Sequence, residues 1–181
     1  MPFIGNKPTA VPLTSADLAD SIITSAKIVD GTIVNGDINA SAAIAGTKLS
    51  GAGKVLQVVT ATDLTQRSTT STSFVTGSNT LSLSITPSSA SSKIYLVCTT
   101  SGYTGSQARY TIYKDATNLG TAEGMSDKQG GNWESIAMSY LDSPSTTSAT
   151  TYQVYFKSAT AGTTYLNNGN TASITAFEIG A

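Results

Sequence analysis

Histidine is absent from the 181 residues, and cysteine and tryptophan occur once each. Without histidine there is no Ser/His/Asp triad, no imidazole acid–base catalysis and no Cys/His zinc motif. The single Cys98 rules out an intrachain disulfide. Charge is scarce as well: 10 Lys and Arg against 11 Asp and Glu, 12% of the chain, for a net of −1. Neither nucleic-acid phosphates nor an anionic membrane finds a basic surface to bind. No stretch approaches the roughly 18 apolar residues of a membrane span. The opening Met-Pro-Phe-Ile-Gly-Asn-Lys carries no apolar run of signal-peptide length. There is no Walker loop and no calcium loop, and Gly51-Ala-Gly53 reads as a linker rather than a phosphate cradle. The expectation is therefore no cofactor, no metal, no nucleic-acid partner and no membrane insertion.

What the chain does have is hydroxyls. Serine and threonine together number 54, far above ordinary usage, a composition suited to exposed β-structure. Residues 1–12 carry Pro2, Pro8 and Pro12. Proline fixes φ and removes donors, so this segment is expected to be an extended arm.

Residues 13–52 hold the strongest pattern. Leu13, Leu18, Ile23, Ile28, Ile33 and Ile38 recur at a strict period of five, and after one extra residue Ile44 and Leu49 resume it. Small residues (Ala16, Ser21, Ala26, Gly31, Gly36, Ala42) lie two positions ahead of most of them. Five matches neither the 3.6 of a helix nor the 2.0 of a strand. It predicts a chain that turns one corner per unit, with Asp30-Gly31 and Asn35-Gly36 supplying turn chemistry. Two arrangements bury such a row. A monomeric pentapeptide solenoid would have only about two coils, and repeat arrays need about three units to close a core. The favoured alternative is a stalk in which several identical chains share one apolar axis built from Leu18, Ile23, Ile28, Ile33, Ile38, Ile44 and Leu49. A short helix over 15–26 also fits Leu18, Ile22 and Ile23.

Residues 53–181 alternate apolar and polar side chains in seven or eight short runs, among them Leu81/Leu83/Ile85, Ile94/Leu96/Cys98, Ile136/Met138/Tyr140 and Tyr152/Val154/Phe156. Punctuation falls at Thr76-Gly77-Ser78-Asn79, Asp142-Ser143-Pro144 and Asn167-Asn168-Gly169-Asn170. The fold class expected is all-β: an arm and pentad stalk followed by a jelly-roll-like antiparallel β-sandwich. Tyr152, Phe156 and Phe177 are expected in the core, and Cys98 as a small buried hydrophobe. The closing strand is expected to put the terminus at a sheet edge or a subunit seam, and residues 124–133 are expected as the longest irregular loop.

Two sets of residues invite chemistry. Asp115, Glu123, Asp127 and Glu134 are the acids a glycosidase would draw on, but no motif frames them, and solvated surface charge is the better reading. Tyr103, Tyr113, Trp133 and Tyr165 lie near loops, where aromatic faces stack on sugar rings and neighbouring polar groups bond to hydroxyls. Tyr103, Arg109, Gln129, Asn132 and Trp133 are the candidate glycan contacts, with Gln107 a further polar partner; a structural plug is the competing role for Trp133.

The run from Ile23 to Ile38, Ile-Thr-Ser-Ala-Lys-Ile-Val-Asp-Gly-Thr-Ile-Val-Asn-Gly-Asp-Ile, resembles the low-complexity stalk repeats of tailed-bacteriophage fibre proteins. The domain that opens Gly53-Lys-Val-Leu-Gln-Val-Val and closes Ile174-Thr-Ala-Phe-Glu-Ile-Gly looks like a β-sandwich module of phage virion proteins. Phe3-Ile4-Gly5 is similar to the starts of phage fibres, including those of cyanophages. The resemblance implies a non-enzymatic virion protein: a homotrimer docked on another virion protein through residues 1–12, at the tail or baseplate, with its β-domain exposed to a host-surface glycan. A head fibre or capsid-decoration protein of the same architecture is the alternative. A small glycan depolymerase and a monomeric solenoid adaptor are the rivals from other classes.

Overall fold

The computed structural model describes residues 23–39, 41–42 and 54–180. The arm at 1–12, the axis positions Leu18, Ile44 and Leu49, the Gly51–Gly53 linker and most of the helix considered over 15–26 lie outside them. The chain divides into two compact units between Leu49 and Ser50.

In the first unit the pentad is visible in the backbone. The amides of Lys27, Thr32, Asp37 and Ala42 each donate to the carbonyl three residues earlier, at 2.9, 3.1, 2.9 and 2.8 Å. One tight turn thus closes every five residues. Two of these are single-turn 3-10 helices, Ser25–Lys27 and Asn35–Asp37. Side chains complete the turns: Asp37 Oδ2 accepts from the Val34 amide at 2.9 Å, and Asn39 Oδ1 from the Ser41 amide at 2.8 Å. Gly31 sits at φ 80°, a conformation its missing Cβ allows. Ile23, Ile28, Ile33 and Ile38, the members of the row among the described residues, are 53, 39, 54 and 40% exposed.

The second unit is an antiparallel two-sheet sandwich. Its strands are β1 (Val55–Asp63), β2 (Arg67–Thr69), β3 (Ser82–Ile85), β4 (Lys93–Thr104), β5 (Gln107–Lys114), β6 (Thr117–Asn118), β7 (Ser126–Gln129), β8 (Glu134–Asp142), β9 (Thr150–Ser158), β10 (Thr164–Leu166) and β11 (Ala172–Ile179). One sheet runs β1-β11-β4-β8, with the short β10 and β2 continuing beside the end of β4. The other runs β3-β9-β5, with β6 and β7 sharing the outer edge of β5. With the three shortest strands set aside, β1-β11-β4-β8 faces β3-β9-β5-β7, and the chain crosses between sheets as in a jelly roll.

Alternation explains which side chains meet inside. Leu81, Leu83 and Ile85 on β3 and Tyr152, Val154 and Phe156 on β9 are buried. They pack with Ile94, Leu96 and Cys98 on β4 and with Ile136 and Met138 on β8. Three carboxylates are buried too, each with donors aimed at it. Glu178 accepts from the Ser88 amide and hydroxyl at 2.7 and 2.6 Å and from Gln57 Nε2 at 2.6 Å. Asp142 accepts from Tyr152 Oη at 2.6 Å and Lys114 Nζ at 3.1 Å. Asp63 accepts from the Thr65 and Thr80 amides at 2.8 and 3.0 Å and from Arg67 Nε at 3.2 Å.

Three expectations are corrected. Phe177 is not core: Ile174 and Ala176 point inward, so a period of two turns Phe177 to the outer face, half-buried beside Tyr95 with ring centroids 6.4 Å apart. The closing strand does not put the terminus at a sheet edge, because β11 lies between β1 and β4. Residues 124–133 are not one irregular loop, because they contain β7, whose inward side chain is Lys128 rather than an apolar residue.

Candidate functional site

At the far end of β4 three aromatic rings meet on the outer face of the first sheet. Tyr103 pairs across strands with Tyr165 of β10. Trp133 stands just before β8, where Glu134 pairs with Gly102. Ring centroids are 5.6 Å apart for Tyr103–Trp133, 5.7 Å for Tyr103–Tyr165 and 6.0 Å for Trp133–Tyr165, all tilted or edge-on. Each ring is half-buried, so each packs against its neighbours and leaves a face to solvent.

Trp133 is a wall between two open clefts. One, about 360 Å³, is lined by Thr99, Ser101, Ser135, Asn168 and Asn170, with the Glu134 carboxylate at its side. The other, about 320 Å³, is lined by Gln66, Tyr103 and Tyr165. Amides and hydroxyls therefore surround an aromatic platform, an arrangement that offers ring faces to the C–H surface of a sugar and donors and acceptors to its hydroxyls.

The turn carrying Trp133 is held from beneath by Lys128. Its ammonium is buried and donates to the Gln129 carbonyl at 2.5 Å, the Gly130 carbonyl at 3.2 Å and Glu134 Oε1 at 2.8 Å. A buried cation that closes a turn in this way fixes the ring that the turn presents. On the opposite side, Asn167 adopts φ 63°, donates its amide to Ser101 O at 2.7 Å and its side-chain amide to Asp63 O at 2.9 Å.

Of the expected contacts, Tyr103 and Trp133 come together; Asn132 is exposed next to Trp133 in the chain, and Gln129 is exposed at the end of β7. Arg109 is a correction. It projects from β5 of the opposite sheet, forms an ion pair with Glu123, and lines a separate cleft of about 300 Å³ with Met125 and Asp127. Tyr113 also belongs to that sheet, stacked on Tyr155 at 4.0 Å. Tyr165, one of the four loop-side aromatics, joins Tyr103 and Trp133 as expected, and Gln66 and Lys128 join the site unforeseen. Tyr165 and Gln66 reach it through pairings of β10 with β4 and β2, which no local pattern announces.

Of the four acids, Glu123 and Asp127 line the cleft beside Arg109, whereas Asp115 and Glu134 lie apart from it. Glu134 is bonded to Lys128, Asp127 accepts from Gln107 at 2.9 Å, and Asp115 accepts from the Thr151 amide at 3.0 Å. The aromatic clefts hold one carboxylate, Glu134. Among the described residues no three His, Cys, Asp or Glu side chains gather as a metal site, and no helix is long and apolar enough to cross a membrane. No protein-family model matches the chain, and no curated protein matches it.

Proposed function

We propose that this chain is a non-enzymatic structural protein of a phage virion, a short tail-associated fibre or spike. In this proposal copies associate through the pentad segment, residues 1–12 dock on another virion protein, and the β-sandwich contacts carbohydrate on the host surface. The observation that carries the contact function is Trp133 set between Tyr103 and Tyr165 with a polar cleft on either side. The low charge of the site suits neutral sugars, which are recognised by stacking and hydroxyl bonding rather than ion pairing. Each site is shallow, and several copies on one stalk raise a weak affinity by avidity. A stalk in place of a solenoid is supported by aliphatics that recur every five residues and are exposed among the described residues. The number three comes from the likeness to phage fibre stalks.

Trp133 is the sole tryptophan, so its fluorescence reports on the site directly. The full chain is titrated with bacterial surface polysaccharides and screened on a glycan array. Saturable change in Trp133 emission, with array binding lost in Trp133→Ala and Tyr165→Ala, is the expected result. Array binding unaffected by both substitutions removes the site, and no binding to any glycan removes the host-contact reading. Antibody against residues 54–181 then places the protein: label at the tail or baseplate is expected, whereas label over the capsid favours the decoration alternative.

A further inference from the structure

Register sets four apolar side chains in a line across the outer face of the first sheet. Val58 on β1 pairs with Phe177 on β11, Phe177 with Tyr95 on β4, and Tyr95 with Leu141 on β8. The line spans four strands, about 14 Å. Val58, Tyr95 and Leu141 are 53, 38 and 55% exposed. Val55 and Ile179, paired beside the line, extend it toward the start of β1. Natural strands place apolar residues on one face and polar ones on the other when that other face meets water. Here the outer face of the first sheet departs from the rule at two ends, at the aromatic cluster of Tyr103, Trp133 and Tyr165 and at this line.

From these observations we infer that the Val58–Phe177–Tyr95–Leu141 line is a seam on which a second copy of this β-sandwich packs. The inference rests on the reading that copies of the chain associate, and it adds where the sandwiches touch.

Charge identifies the occupant. Beyond the line come Thr60–Thr175–Val97–Ser139 and then Thr62–Ser173–Thr99–Ala137, row after row across the same strands. Thr60 and Thr175 hydroxyls lie 3.0 Å apart and Thr99 and Ser173 hydroxyls 3.2 Å apart, so the polar groups bond to one another within the face. None of the three rows contains a charged side chain. Lys93, paired with Ile179 in the row of Val55, brings one charge to the edge of the line and bonds to Ser143 Oγ at 2.7 Å. A surface that meets its own copy must avoid like charges opposite each other, and an uncharged face does so in any orientation. A face selected for a different protein gains rate and specificity from charge, and the three rows offer none.

Size gives the same answer. Three rows on four strands make a face of roughly 20 by 20 Å, on the order of 400 Å². That is about half the surface one partner contributes to a standard interface. The line therefore holds copies together only where a second contact brings them close. The same polypeptide provides one, the exposed pentad row at Ile23, Ile28, Ile33 and Ile38. In the chain, Val55 and Val58 belong to the first strand after that segment. The opposite sheet offers no equivalent face: Phe74 packs on Tyr113 at 6.2 Å under Lys157, and Arg109 is paired with Glu123. The aromatic rings lie beyond this face, since Tyr103 is eight residues along β4 from Tyr95, about 27 Å, and the cleft beside Trp133 meets the third row at Thr99.

The test is sedimentation velocity of the full chain over a range of concentrations. Leu141→Glu and Tyr95→Lys add a charge to the line. Leu64→Glu adds one at an equally exposed leucine off the line (63% exposed), and Ile33→Asp adds one to the pentad row. The expected result is a dissociation concentration raised about tenfold or more by the two line variants, unchanged by Leu64→Glu, with unaltered thermal unfolding at high dilution. If Ile33→Asp weakens assembly while both line variants assemble like the parent, the seam is wrong and self-association stands. A parent that is monomeric at every concentration overturns both. A second measurement needs no added charge: maleimide reacts with Tyr95→Cys and Leu64→Cys in dilute and assembled samples. Assembly should slow the reaction at position 95 alone, and equal rates at position 95 in both samples overturn the seam.

Discussion

The Tyr110 hydroxyl occupies the space that a side chain on Gly102 would need. A Cβ at Gly102 would collide with Tyr110 Oη, and that same hydroxyl donates to the Tyr165 carbonyl at 2.9 Å. The buried tyrosine thus ties the core of one sheet to the backbone of β10, through a gap that only glycine leaves open. Gly102→Ala forces Tyr110 aside, and overpacking of this kind costs about 1–3 kcal/mol. The expected outcome is a lower urea midpoint together with a changed Trp133 emission, because Tyr165 moves with its carbonyl. Unchanged midpoint and emission would show that the tyrosine relaxes freely.

Lys128 is the second support of the aromatic cluster. Lys128→Met keeps length and apolar bulk but leaves the Gln129 and Gly130 carbonyls and Glu134 without their donor. Gln129, Gly130 and Glu134 are themselves exposed, so water can replace the donor and the cost is that of the lost hydrogen bonds, about 1 kcal/mol. Hydrogen exchange across residues 129–134 should accelerate and Trp133 emission should shift to the red, with β4 and β9 amides as protected as before. Exchange that rises equally everywhere would mean that Lys128 supports the whole sandwich rather than this turn.

These two residues also show where a sequence stops being informative. The inward sets on β3, β4, β8 and β9 could be read directly, because each repeats an apolar residue at a period of two. Strand β7 could not, since its buried position is a lysine and nothing apolar marks the period. Phe177 looked like core because it is aromatic, yet parity with Ala176 sets it outside, and register rather than residue type decides. Arg109 and Trp133 are both residue types suited to sugar contact, but Arg109 lies within β5 and Trp133 just before β8, on opposite sheets. Tyr165 reaches Tyr103 across 62 residues of chain through a three-residue strand. The period of five, by contrast, was fully legible, and the turn hydrogen bonds repeat it.

Cys98 gives a simple probe of the core. Burial between the sheets pushes its thiol up to about 12, so almost no thiolate exists near neutral pH, and the thiolate is the reactive form. A disulfide reagent at pH 8 should leave the folded chain unmodified and react with one thiol after denaturation. Fast labelling of the native protein would place Cys98 at an accessible surface.

Glu178 makes the sandwich sensitive to acid. Burial alone would raise its pKa. The hydrogen bonds from Ser88 and Gln57 outweigh burial and hold it at about 2, below its ordinary 4.5. Asp63 is lowered as well: burial again opposes, and the Thr80 and Thr65 amides and Arg67 prevail. A carboxylate whose folded pKa lies below its unfolded one binds fewer protons in the folded state, so stability rises with pH across the interval between them. The contribution of Glu178 is therefore complete above about 4.5 and is lost as pH falls toward 2. The urea midpoint should hold level from pH 7 to about 5 and fall steadily below 4.5. Glu178→Gln lowers the neutral plateau, by about 1–3 kcal/mol for a buried, charge-bonded group, and flattens the acid limb. A variant that loses stability at pH 7 yet keeps the parent's full acid slope would assign the titration to Asp63 and other carboxylates instead.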